Sequence, residues 1–101
     1  MKLPVRATPE AEAQILAIDN WWLTNRPAAP DLFLAELAAS FEIIGNAPHM
    51  GRLYRQSPIA GTRRILLKRT RYHVYYVASS EEVRVLAIWY ARRGLVPPLR
   101  A

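Results

Sequence analysis

The sequence predicts an α+β domain, β-α-α-β-β-β in order, with an antiparallel sheet packed on an N-terminal helix hairpin. Three observations predict it. Apolar residues recur at helical spacing between positions 9 and 46. Residues 63–90 are dense in β-branched and aromatic side chains. The two helical patterns are joined by a short Pro-containing connection, so the helices must turn back on each other. A chain of 101 residues fits one domain, 1–101, with a single modest core.

The elements follow in order. "KLPVRAT" alternates Leu3 and Val5 with Lys2 and Arg6 and reads as an edge strand, where Pro4 is tolerated. "TPEAE" is a helix start. Thr8 suits the N-cap, Pro9 the first turn, and Glu10 and Glu12 the positive end of the helix dipole. Ala11, Ile15, Ile18 and Trp22 then share one face, and the helix fades near Asn25. A second helix starts at Pro30–Asp31. Leu34, Leu37, Phe41 and Ile44 form its expected buried stripe, broadened by Phe33, and Gly45, Asn46 and Pro48 stop it. "APHMGRLYRQSPIAG" reads as an irregular connection. Strands are expected at Arg63–Arg69, Tyr72–Ala78 and Val83–Tyr90, with "SSEE" as a hairpin turn. The last strand is the most apolar and is expected inside the sheet.

Charge is distributed unevenly. The net charge is +6, yet residues 1–50 hold three Lys/Arg against six Asp/Glu, and residues 51–101 hold eleven against two. A half-molecule this basic attracts polyanions or acidic proteins. The chain has no cysteine, which excludes disulfides and thiolate metal sites. His49 has no ligand-spaced partner, so neither metal nor cofactor is expected. The N-terminus does not read as a signal peptide. No run approaches the roughly 18 apolar residues of a membrane span, so a cytoplasmic chain is expected.

Pro48 and Gly51 after the second helix, "GTRRI", "RYHVYYV" and "VRVLAIWYARRG" occur in an order that resembles the RelE/ParE superfamily of type II toxin–antitoxin toxins. The resemblance spans nearly the whole chain. It implies a cognate antitoxin whose acidic segment wraps the toxin, in a hetero-oligomer of the kind known from plasmid stabilisation modules. It also implies one of two targets. RelE-like members cleave mRNA on the ribosome, whereas ParE-like members poison DNA gyrase.

RNA cleavage by 2′-OH attack needs a proton acceptor, charge stabilisation at phosphorus and help for the leaving oxygen. For the RelE-like alternative the candidates are Arg64, Lys68, His73, Arg92 and Arg93. Arg64 and Lys68 stand four apart on an expected strand and so point the same way. His73 can do acid–base work. The tyrosine that RelE carries beyond its basic pair has no counterpart in "GLVPPLRA", since Tyr90 precedes Arg92–Arg93. This favours the ParE-like branch. Its expected target-binding residues are Arg64, Lys68, Tyr90, Arg92 and Arg93. Trp21, Arg69, Arg71 and Tyr75 are the expected antitoxin contacts. The antitoxin segment has two options, the groove between hairpin and sheet or a sheet edge. Solvated strand faces and sheet packing are the plain alternative for these arginines and tyrosines.

Overall fold

A computed structural model describes residues 2–92 and 97–100. Seven elements follow in chain order: β1 (Val5–Ala7), α1 (Pro9–Asn25), α2 (Leu32–Asn46), β2 (Arg52–Leu53), β3 (Arg63–Leu66), β4 (Tyr72–Ala78) and β5 (Val83–Tyr90). The five strands form one sheet in the order β1-β5-β4-β3-β2. The α+β architecture and the helix hairpin are as the sequence predicts, and β5 lies inside the sheet.

Three details differ from the expectation. The sheet is mixed, because β1 pairs parallel to β5, with Val5 opposite Val83 and Ala7 opposite Val85. The hairpin of helices returns the chain so that β1 closes the free edge of the last strand, and the Val83 amide donates to the Pro4 carbonyl. Pro4 needs no ladder donor at that edge. A two-residue strand, β2, lies inside the segment expected to be irregular, pairing Arg52 and Leu53 with Arg64 and Arg63. Strand β3 ends at Leu66, not Arg69. The Leu67 amide donates to the Tyr72 carbonyl, and the Arg71 amide to the Leu67 carbonyl. This closes a turn in which Arg71 adopts φ 70°, a left-handed conformation costly for a side chain bearing Cβ. Lys68 therefore stands in the turn, beyond the paired strand, and does not share the strand alternation of Arg64.

Helix α1 begins as its sequence dictates: the Ala11 amide donates to the Thr8 hydroxyl at 3.1 Å. Ala11 and Trp22 are buried, with Ile15 and Ile18 packed against the same core. In α2 the buried face is Phe33, Leu37, Ser40 and Ile44, while Leu34 is 40% exposed. Leu37, Ile44 and Phe33 are thus buried as expected, Phe41 is only partly buried against the core, and Leu34 lies outside the stripe. These helix faces cover Val74 and Tyr76 of β4 and Val83, Val85 and Ile88 of β5. The other face of the sheet carries a smaller cluster of Tyr54, Tyr75, Leu86, Ala87 and Leu99.

A β-bulge explains how β5 serves both clusters. Tyr75 pairs with Ala87 but Tyr76 pairs with Val85, so Leu86 is the extra residue. Leu86 and Ala87 both enter the smaller cluster, and Ile88 resumes the helix-side face.

Tyr76 locks the connection after α2. Its hydroxyl accepts from the Gly51 amide at 2.9 Å and donates to the Pro48 carbonyl at 2.7 Å. Burial raises its pKa, against the opposing pull of the Gly51 amide and the Arg63 charge. A Cβ at position 51 would lie 2.6 Å from that hydroxyl and 2.9 Å from the Arg64 carbonyl, so glycine is required. Tyr76→Phe should cost about 1–3 kcal/mol in urea unfolding, because Gly51 and Pro48 lose their partner. A loss under about 0.3 kcal/mol would show that the lock contributes nothing.

Candidate functional site: a basic, aromatic groove

An open groove of about 830 Å³ runs between the C-terminal half of α1, the β3–β4 turn and the end of β5. Helix α1 supplies Gln14, Ala17, Ile18, Trp21 and Trp22, and Arg26 follows its end; the turn supplies Arg69, Thr70 and Arg71. Tyr72, Ile88, Trp89, Tyr90 and Arg92 complete the lining. Four arginines from three distant segments thus line one groove. No Asp or Glu is among the described lining residues.

Each basic side chain is placed by a local cause. The Arg26 amide caps α1 by donating to the Trp22 carbonyl, which holds Arg26 beside the indoles. Its guanidinium lies 5.0 Å from the Trp21 ring centre and 6.0 Å from that of Trp22. Trp21 is 44% exposed and meets Trp22 edge-on at 5.8 Å. Trp22 is buried, and among the described residues its Nε1–H has no acceptor.

The turn is fastened by Glu36 of α2. Its carboxylate accepts from the Arg69 amide at 2.7 Å, the Thr70 amide at 3.0 Å and the Thr70 hydroxyl at 2.6 Å. Burial works to raise the Glu36 pKa. The Thr70 hydroxyl, the two amides and the Arg69 charge outweigh it and hold the carboxyl below the usual range. With the turn fixed, the Ala91 amide donates to the Arg71 carbonyl and joins the turn to the end of β5. Rings continue this wall from the core outwards: Phe33 meets Tyr72 at 5.3 Å, and Tyr72 meets Tyr90 at 5.4 Å. Tyr90 is 39% exposed.

Among the described residues, no ion pair quenches the groove. Glu82 pairs with Arg6 and Arg84, and Glu42 with Lys2, all outside the groove lining. Among the described residues, Glu36 is the one carboxylate that acts on a groove arginine, Arg69, and its oxygens face backbone donors.

Of the residues singled out in the sequence, Trp21, Arg69, Arg71, Tyr90 and Arg92 line this groove together. Arg93 lies outside the described residues. Arg64, His73 and Tyr75 do not line the groove and form a separate group. The Arg64 guanidinium sits 4.9 Å from the Tyr54 ring centre and donates to the Tyr75 hydroxyl at 3.2 Å. His73 meets Tyr75 edge-on at 5.9 Å. Burial, then the Arg64 charge, lowers the His73 pKa, so the imidazole is neutral at pH 7. Tyr75 is only 3% exposed. Lys68 does not line the groove. Sequence reasoning missed Arg26, Glu36 and the groove role of Tyr72. A Trp-Trp pair followed four residues later by Arg, on one helical turn, was the available signal for Arg26. Nothing local marks Glu36, whose partners lie 33 and 34 residues away.

Among the described residues no helix is long and apolar enough to cross a membrane. No curated protein sequence matches the chain significantly. Solved structures share its fold, among them the following two. One, "Chromosomal ParDE TA system from P. aeruginosa", is 16% identical with a TM-score of 0.72, covering 90% of this chain and 98% of that one. The other, "The structure of YoeB dimer from Staphylococcus aureus", is 15% identical with a TM-score of 0.50, covering 89% and 98%. At these identities the likeness is one of fold. The sequence family described as "ParE toxin of type II toxin-antitoxin system, parDE" matches residues 5–95, nearly the whole chain. The chain therefore belongs to the ParE toxin family of type II toxin–antitoxin systems.

Proposed function

We propose that this protein inhibits growth by binding and poisoning DNA gyrase, and that a cognate antitoxin in the same cytoplasm holds it inactive. The observation that carries the reading is the family match over residues 5–95. Site geometry supports it. A metal-independent ribonuclease needs its acid–base group and its charge stabilisers around one phosphate. Here His73 and Arg64 form one group, Arg92 lines a groove that neither of them lines, and Lys68 belongs to neither lining. A binding-type inhibitor needs no such convergence. The solved ParDE system and the excess of Lys/Arg over Asp/Glu in residues 51–101 support an acidic antitoxin segment and a toxin–antitoxin hetero-oligomer.

The test uses purified protein with gyrase, ATP and relaxed plasmid. Supercoiling should fall as toxin is added, and cleaved plasmid should accumulate when the reaction is stopped with detergent and protease. Full supercoiling at a large molar excess, together with cuts in translated mRNA that disappear in His73→Ala, would replace this reading with the ribonuclease one.

A further inference from the structure

From the groove's chemistry we infer that it binds a phosphate-bearing nucleoside, presented by single-stranded nucleic acid or by a free nucleotide. This goes beyond gyrase inhibition and stands independently of it. The groove combines two features that this ligand class uses together. Guanidinium forks at Arg26, Arg69, Arg71 and Arg92 suit phosphate oxygens, which they can grip bidentately. Partly exposed rings at Trp21 and Tyr90 offer faces and edges on which a base stacks. The volume of about 830 Å³ falls within the range of small-ligand clefts. A purely acidic ligand would engage the arginines and leave the aromatic wall unused.

The backbone supports a rigid site. Glu36 pins the amides of Arg69 and Thr70, and Arg71 leaves the turn at φ 70° next to the end of β5. Binding then requires little reordering of the turn, so less entropy is lost on association.

The experiment is fluorescence anisotropy of the full chain with a labelled ten-nucleotide oligothymidylate, competed by thymidine monophosphate and by a ten-residue polyglutamate. The oligonucleotide should bind, with log affinity falling by roughly 2 or more per log unit of salt, as three or four phosphate contacts predict. Trp21→Ala should weaken binding about tenfold, the loss expected of one stacked base. Arg26→Ala and Arg71→Gly should each reduce the salt slope by about 0.7. Arg71→Gly suits the left-handed backbone, so it removes the charge without threatening the fold. Circular dichroism checks the other two variants. Competition by the mononucleotide at similar concentration supports a free-nucleotide site, and its failure to compete supports a strand-binding site. The inference is overturned if the oligonucleotide does not bind at about 50 mM salt, where three phosphate contacts would be strong. Binding unchanged in all three variants overturns it too, as does polyglutamate competing equally well, which would mark a site for acidic peptide. None of these readouts involves gyrase, so they fail or succeed apart from the supercoiling assay.

Discussion

Phe33→Ala should lower the stability of this domain by about 3–5 kcal/mol, the cost of emptying a fully buried aromatic site. Phe33 is 0% exposed, sits in the helix–sheet core and meets Tyr72 edge-on. A domain of this size has roughly 5–15 kcal/mol in total, so the variant should lose about 15 °C or more in Tm. Leu34→Ala, one residue along and 40% exposed, should cost only about 0.5 kcal/mol. The pair tests the rotational phase of α2, because the apolar periodicity alone assigns Leu34 to the buried stripe. Equal losses, or a larger one at Leu34, would mean that α2 presents a different face to the sheet. Phe33→Ala should also loosen the groove. Its ring backs Tyr72, which in turn backs Tyr90, so oligothymidylate affinity should fall further than in Leu34→Ala.

The contrast between Phe33 and Leu34 shows where the sequence was legible. Helix α1 alternates charged and apolar residues, so Ala11, Ile15, Ile18 and Trp22 define one face. Helix α2, "LFLAELAASFEIIGN", is apolar around most of its circumference. Its period is readable but the edges of its buried stripe are not, since apolar residues flank that stripe on both sides. Strand β2 is two residues long, too short for any alternation to register. The parallel pairing of β1 depends on where the helix hairpin returns the chain, which no local pattern encodes. The bulge at Leu86 was hidden because a run such as "VRVLAIW" reads as a buried strand whether or not two neighbours share a face.

The same distinction runs through the groove. Arginine and exposed tryptophan announce themselves by residue type, and Trp21, Arg69, Arg71, Tyr90 and Arg92 were all legible as surface candidates. Their meeting was not legible, because it depends on the turn after β3 ending where it does. Propensity alone would keep Arg69 in the strand, with Arg71 just beyond it. The Leu67–Tyr72 and Arg71–Leu67 hydrogen bonds and the Glu36 carboxylate instead fold them back towards α1 and β5.

Glu36 should therefore be the residue whose loss most disturbs the site without touching a ligand. Glu36→Ala leaves two amides and a hydroxyl without their charged acceptor, and should cost about 2 kcal/mol at pH 7, as hydrogen bonds to an ionised group do. Its folded pKa is lowered, so its contribution is complete above the unfolded value near 4.5 and is lost as pH falls through the lower folded value. His73 acts at a higher pH with the same sign. Its folded pKa lies below 6.5, so the unfolded chain takes up the proton first and stability declines as pH drops below 6.5. Urea midpoints from pH 8 to 3 should thus fall in two stages. Glu36→Gln should abolish the lower stage and spare the upper, and His73→Gln should do the reverse. The arginines of the groove stay charged across this range. Oligothymidylate affinity in the wild type should then weaken only in the lower stage, as the turn carrying Arg69 and Arg71 is released, and should be weaker at pH 7 in Glu36→Gln. If the Glu36→Gln profile superimposes on that of the wild type, the carboxylate does not hold the turn. The placement of Arg69 and Arg71 must then come from the backbone bonds at Leu67 alone.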